Sequence, residues 1–265
     1  MSDSPEAQKE QVRALFSGLA PEYDAHGTFA HFGRRLVDIA GVEPGQRVLD
    51  VASGRGAVLF PAAERVGVEG QVEGIDLAEG MVQATNVEAE RRGVTARVRV
   101  MDAEHLDFPD ASFDRVLCGF GIMFFPDQLR GLAEFRRVLR PGGQVGVSTS
   151  RVAEIQPLAN VINAMGLGRT APPGWITDPD ILTQLLRRAG FADVQVVEDT
   201  HFFHRADFEA YWQAARGGGF RATVDALDAA QAEHVRATLA ERLSPYQRPD
   251  GYHVPATALL GIARR

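Results

Sequence analysis

The chain has 265 residues, 45% hydrophobic and 24% charged, with 27 glycines and 14 prolines, an ordinary globular mix rather than a disordered, collagenous or disulfide-stapled one. At this length one large domain buries roughly three quarters of its unfolded surface, and the single cysteine, Cys118, excludes an internal disulfide. The formal net charge of -7 argues against nucleic acid as a partner.

The opening MSDSPEAQKEQVRALF has no basic segment leading into an apolar one, so it does not read as a secretory signal. No run reaches the ~20 apolar residues of a membrane span, and a cytoplasmic protein, monomer or homodimer, is expected. Lys9 is the only lysine among 28 basic residues, which reads as genomic codon bias toward arginine. Residues 5–39 have a helical pattern and form an N-terminal cover, residues 1–40. Residues 47–52 then predict a strand running at once into Ser53-Gly54-Arg55-Gly56. A helix follows over 57–66, with Pro61 tolerated in its first turns. Strand 71–76, helix 78–91 closed by Gly93, strand 96–101 and strand 113–118 continue the alternation. Helix 127–139 and, after Pro141-Gly142-Gly143, strand 144–149 complete it. Strands and helices at this spacing predict parallel strands covered on both faces, a core spanning 41–150.

Later the beat weakens. Residues 158–166 read as helix, 168–174 as loop, 178–189 as a helix stopped by Gly190, and 192–198 as a strand. Helices 207–216 and 223–243 flank a Gly217-Gly218-Gly219 hinge, and 254–263 is the last strand. Residues 205–250 therefore look like a helical lid inserted between two late strands of a single domain.

Three acids mark the strand ends. Asp50 stands just before a glycine turn that lets backbone approach a ligand. Asp76 ends the second strand, where a carboxylate accepts both ribose hydroxyls. Asp102 ends the third, placed to accept from an adenine amino group. Any one of them alone reads as a helix cap; three on one sheet edge point to a nucleoside. A dinucleotide is disfavoured, because Leu59 stands where the third glycine of G-x-G-x-x-G is needed. Asp50 also repels a pyrophosphate while suiting an ammonium, so the pattern fits a ligand with a cationic amino-acid tail, ribose and adenine.

VLDVASGRGA, GIDLAEGM, MDAEHLDFPDASFD and LRPGG together resemble class I S-adenosylmethionine-dependent methyltransferases. Residues 16–24, FSGLAPEYD, are similar to the N-terminal motif of the ubiquinone/menaquinone-biosynthesis branch. The likeness covers about residues 12–150 and departs at Ala52, where the family more often has glycine. It implies a Rossmann-like seven-stranded sheet, mostly parallel with the last strand antiparallel. It also implies that Gly54 and Gly56, with Ala52 and Ser53, line the cofactor's methionine tail. Asp76 would take the ribose, with Leu77 and Met81 near the adenosine, and Asp102 and Ala103 the adenine. Cys118 and Gly119 would floor the sulfonium, and Tyr23 would close over the methionine end, its ring face suiting a sulfonium cation.

Methyl transfer is an in-line displacement that rests on positioning, and needs a base only if the acceptor's proton must leave early. His201, His204 and His26 are the base candidates, the first two following the sixth strand and otherwise edge residues. The spacing of His201 and His204 suggests a metal, but no third ligand lies near in sequence and none is expected. Phe120, Phe124, Phe125, Trp175, Phe203, Tyr211 and Trp212 either line a chamber for a hydrophobic or aromatic small molecule or form the lid's own core. The expected function is methylation of such a molecule in bacterial specialised metabolism, with carbon mildly favoured by the N-terminal motif. The rivals are a quinone-pathway C-methyltransferase, a cyclase on the same scaffold and a non-catalytic S-adenosylmethionine-binding protein.

Overall fold

The computed structural model describes residues 4–21, 23, 27–153, 156–167, 174–216 and 221–265. Its centre is β1 (Arg47–Val51), whose Val48, Leu49, Asp50 and Val51 are all buried, the continuous burial of a strand covered on both faces. On one side β1 pairs in parallel with β2 (Gln71–Asp76), and β2 with β3 (Ala96–Val100). On the other it pairs in parallel with β4 (Phe113–Gly119), and β4 with β5 (Leu139–Val152). β6 (Ala192–Arg205) and β8 (Gly251–Arg264) follow, β8 lying antiparallel between β5 and β6. The order is β3-β2-β1-β4-β5-β8-β6, so the connections leave in opposite directions from β1, and a crevice opens beyond the carboxyl ends of β1 and β4. These seven long strands match the expected sheet; an eighth, the two-residue β7 (Gln247–Arg248), pairs with the start of β8.

Helices cover both faces. The N-terminal extension divides into α1 (Pro5–Leu19) and α2 (Thr28–Ile39). α2, α3 (Leu59–Val66) and α4 (Glu79–Arg92) bury Phe32, Leu36, Leu59 and Val82 against Val48, Val72 and Leu117. α5 (Gln128–Val138) and α7 (Pro179–Arg188) bury Leu132, Phe135, Leu182 and Leu186 against Val116, Val145 and Leu259 on the other face.

α6 (Gln156–Ala164), α8 (Phe208–Arg216), α9 (Arg221–Asp225) and α10 (Ala229–Leu243) share a core of their own, built on Leu158, Ile162, Tyr211, Trp212, Val235 and Leu239. The single helix expected over 223–243 is two, because Asp228 and Gln231 form a capping box that starts α10 afresh. The expected glycine hinge and most of the 168–174 loop lie outside the described residues. β6 runs on past the expected end at 198. The segment to Arg205 holds no glycine or proline, and β8 pairs it through Arg205↔Tyr252, so His201 and His204 lie within a strand.

Candidate active site

The turn after β1 brings the backbone close to the crevice. Gly54 takes φ 50° and Gly56 φ 82°, and Ala52 adopts φ 56°, a left-handed conformation costly for any residue with a Cβ. Asp76, at the end of β2, ties this turn to the next: its Oδ2 accepts from Gly54 N–H and its Oδ1 from Ala78 N–H, both at 2.8 Å. Each oxygen keeps a lone pair for a further donor, the bidentate acceptor a ribose needs. Burial pushes the Asp76 carboxyl above its usual range, against the pull of these backbone bonds.

Asp50 is fully enclosed beneath the turn, and neither of its carboxylate oxygens has a hydrogen-bond partner. Ser53 Oγ donates instead to the Asp50 backbone carbonyl at 3.0 Å. Burial, with the nearby Asp76 charge, pushes Asp50 well above the ordinary carboxylate range. Although expected among the cofactor-binding residues, Asp50 does not line the cavity and supports the turn from beneath.

At the other end of the crevice lies a group that sequence reading passed over. Lys9 of α1, buried, places its Nζ 2.8 Å from Asp102 Oδ2 and 2.7 Å from Glu104 Oε2. Burial by itself lowers the ammonium's pKa, but the bonds and charges of the two acids outweigh it and hold it above its usual value. Burial likewise works to raise Asp102, yet Lys9, the Glu104 N–H and His105 together hold it below. Its one mark in the sequence is that it is the lone lysine in an arginine-biased chain.

One cavity joins these two ends. Tyr23, Ala52, Ser53 and Gly54 line it at the turn, Asp76, Leu77 and Met81 in its middle, and Asp102 and Ala103 at the far end, with Gly119, Phe120, Phe124 and Phe125 along the remaining wall. Phe120 holds φ 55°, anchored where its N–H donates to the Ser148 carbonyl and hydroxyl at 3.1 Å each. Such strain in a bulky residue is kept where the surroundings impose it, commonly at ligand sites. The cover comes from α1, α2 and the connection between them. Phe16, Tyr23 and Phe29 lie over the cavity, with the Tyr23 and Phe29 rings stacked at 5.3 Å and Phe29 edge-on to Phe120 at 5.2 Å. Gly33 allows this closeness: a Cβ there would stand 2.0 Å from the Ala57 carbonyl oxygen. Phe16, Phe29, Gly33 and Arg55 were not among the expected site residues.

Other expectations fall elsewhere. Gly56 turns away from the cavity, and a Cβ on it would meet the Phe60 ring at 2.4 Å. Cys118 is wholly buried under Gly121, and burial drives its thiol pKa far up, so it is inert packing below the floor rather than its surface. Tyr211 and Trp212 do not reach the cavity, because α6 and α10 enclose them in the insertion's own core. Trp175 and Phe203 stand behind the wall: Trp175 is edge-on to Phe124 at 6.4 Å, and Phe203 packs on Phe32 at 6.1 Å. His201 stacks on His31 at 3.9 Å and His204 faces Asp250, both apart from the cavity. His26 lies outside the described residues.

An acceptor for ribose hydroxyls and a strand-end acid beside the far pocket, on one cavity that reaches the glycine turn, together fit S-adenosylmethionine. Residues 4–163 match the family model described as the ubiE/COQ5 methyltransferase family. The chain belongs to that family. Its cofactor is S-adenosylmethionine. Among the relatives it is 43% identical over 152 residues to aklanonic acid methyltransferase DauC of Streptomyces sp. (strain C5), covering 56% of this chain and 68% of that one. It is 48% identical over 137 residues to nocamycin O-methyltransferase of Saccharothrix syringae, covering 51% of this chain and 49% of that one. The YcgJ protein of Bacillus subtilis has the same fold, with a TM-score of 0.61 at 20% identity over 89% of this chain and 98% of that one. Among the described residues no helix is long and apolar enough to cross a membrane.

Proposed function

We propose that this methyltransferase methylates a small, flat, largely apolar molecule at an oxygen that is already anionic at neutral pH, a carboxylate or an acidic enol or phenol. The observation that carries this reading is the cavity lining. Phe16, Tyr23, Phe29, Phe120 and Phe124 present ring faces and edges beside the turn, and among the described lining residues there is no histidine. The lining acids, Asp76, Asp102 and Glu104, are engaged at the nucleoside end by backbone or Lys9 bonds. A chamber without a base suits an acceptor that needs none.

S-adenosylmethionine supplies a methyl group already activated on a sulfonium. The chain's residues then bind and orient: Asp76 the ribose, Asp102 the adenine edge, and Arg55, whose buried Nε has no partner, the carboxylate of the tail. Tyr23 and Phe29 hold the acceptor against the turn and keep water away, the positioning on which the displacement depends. Among the described residues the insertion expected as a lid lends none to the cavity. Its core takes in Leu158 and Ile162 of α6 and Val254 of β8, so the cover of this reading is α1 and α2.

Relatives named as acid and O-methyltransferases support oxygen, whereas one named demethylmenaquinone methyltransferase keeps carbon as a second reading, since a quinol anion offers the same charge to the same chamber. The test is S-adenosylhomocysteine formation with polycyclic carboxylic acids, phenols and the corresponding methyl esters, with product methyl shifts read by NMR. Turnover confined to the anionic acceptors and an O-methyl signal support the proposal. Turnover of neutral acceptors alone overturns it.

A further inference from the structure

His204 of β6 is the direct cross-strand partner of His253 of β8, and Asp250 lies in the turn that leads into β8. The two rings stand 5.1 Å apart. His253 Nε2 is 3.1 Å from Asp250 Oδ1, and His204 Nε2 is 3.9 Å from Asp250 Oδ2 while donating to the Asp250 backbone carbonyl at 2.8 Å, a bond that a metal ion would replace. One ligand atom from each of the three lies within 4.8 Å of the others. We infer that His204, Asp250 and His253 form a binding site for a divalent transition-metal ion of the zinc class, one that clamps the neck of the helical insertion.

The geometry is close to what such an ion requires. Around tetrahedral zinc, with ligands at about 2.0–2.1 Å, neighbouring donor atoms stand roughly 3.3–3.4 Å apart. The observed 3.1 and 3.9 Å bracket that spacing. Two imidazoles and one carboxylate suit zinc, nickel or copper, whereas magnesium and calcium call for more oxygens. His204 and Asp250 are exposed and His253 is half-buried, which leaves the fourth corner to water. Arg248, two residues before Asp250, does not neutralise it: its guanidinium donates to the Pro245 and Gln247 carbonyls at 3.1 and 2.7 Å.

The position gives the ion a role. The chain leaves the sheet at Arg205 to enter α8 and rejoins it at Gly251. A metal bridging His204 to Asp250 and His253 locks departure to return and closes the long loop between them, which lowers the entropy of the free insertion. None of the three residues lines the cofactor cavity, so the site is separate from the methyl-transfer reading. Sequence alone offered only the His201 and His204 pair. The third ligand arrives through β6–β8 pairing.

The test uses the full chain without a polyhistidine tag, stripped with chelator and titrated with cobalt(II) and then zinc. The expected result is one cobalt per chain with the visible absorption of a tetrahedral site, displaced by zinc, and a rise in Tm with zinc but not with magnesium. His204→Ala, Asp250→Asn and His253→Ala should each weaken zinc binding by about tenfold or more while keeping the far-UV circular dichroism of the parent. No tetrahedral absorption, or zinc binding that survives all three substitutions, overturns the site.

Discussion

Lys9 Nζ lies 2.8 Å from Asp102 Oδ2 across 93 residues of chain, so one ammonium joins the cover helix to the acid expected to meet the adenine. It also pairs with Glu104, which is itself only 4% exposed. Removing the cation leaves the buried Glu104 without its ion pair, beside a partly exposed Asp102.

Lys9→Met is therefore expected to cost about 1–3 kcal/mol, less than for a fully buried ion pair because Asp102 meets solvent, and to weaken S-adenosylmethionine binding. The pH dependence has a definite sign. Asp102 has a lowered folded-state pKa, so its contribution is present above the ordinary carboxylate range and is lost as pH falls through the lowered value. Lys9 has a raised one, so its contribution is lost only as pH rises through a value above 10.5. Urea unfolding across pH should show a shallower acid limb in the variant; identical limbs would rule out the pair as the cause.

Asp76 carries two duties that substitution separates. Asp76→Asn keeps one oxygen for a backbone N–H, whereas Asp76→Ala frees both Gly54 and Ala78 N–H groups. The alanine variant should lose at least about tenfold in S-adenosylmethionine affinity, a charge-assisted pair being removed, and the asparagine variant somewhat less. Calorimetric titration measures both, and equal affinity for parent and alanine variant would remove Asp76 from the ribose site.

Ala52 and Gly121 divide one small space between them. Ala52 sits at φ 56°, and a Cβ on Gly121 would stand 2.5 Å from the Ala52 methyl and 2.9 Å from Cys118 Sγ. Ala52→Gly should raise stability by about 0.5–1 kcal/mol, left-handed strain relieved outweighing the added chain entropy. Gly121→Ala should destabilise by about 1–3 kcal/mol through overpacking, and by less when combined with Ala52→Gly. Thermal unfolding of the four proteins gives the coupling; strictly additive effects would mean that the two sites do not share the space.

The contrast between Asp76 and Lys9 shows what the chain made legible. Strand ends and the glycine turn are local signals, a short apolar run meeting residues that permit positive φ, so Asp50, Asp76 and Asp102 could be placed at strand ends before any tertiary contact was known. Lys9 needed knowledge of how α1 folds back onto the end of β3, which no local pattern encodes. Its singularity as the lone lysine reads as codon bias, and nothing near it in sequence points to the two acids it joins. Tyr211 and Trp212 failed for another reason. An aromatic pair on a helix looks the same in sequence whether it faces a ligand or a neighbouring helix, and here α6 and α10 decide the matter. The end of β6 was hidden because nothing punctuates the chain between 198 and 205, and strand pairing alone sets where it stops.

His31 and His201 provide the last prediction. Their rings stack at 3.9 Å with 23° between planes, and His31 Nε2 is buried with no partner. Burial, followed by the His201 charge, lowers the His31 pKa; Asp199 opposes this and Arg35 reinforces it. A histidine whose folded-state pKa falls below 6.5 resists protonation that the unfolded chain accepts. Stability is thus lost as pH drops from about 6.5 toward the lowered value. His31→Phe should keep the stack and remove that slope, measured by chemical denaturation at pH 7.5 and 5.5. His201→Phe should keep turnover close to the parent's, because His201 does not line the cavity. A loss of roughly 10²-fold or more in kcat at unchanged cofactor affinity would instead make His201 a proton acceptor, and would require the acceptor to reach β6 rather than lie between Tyr23 and Phe120.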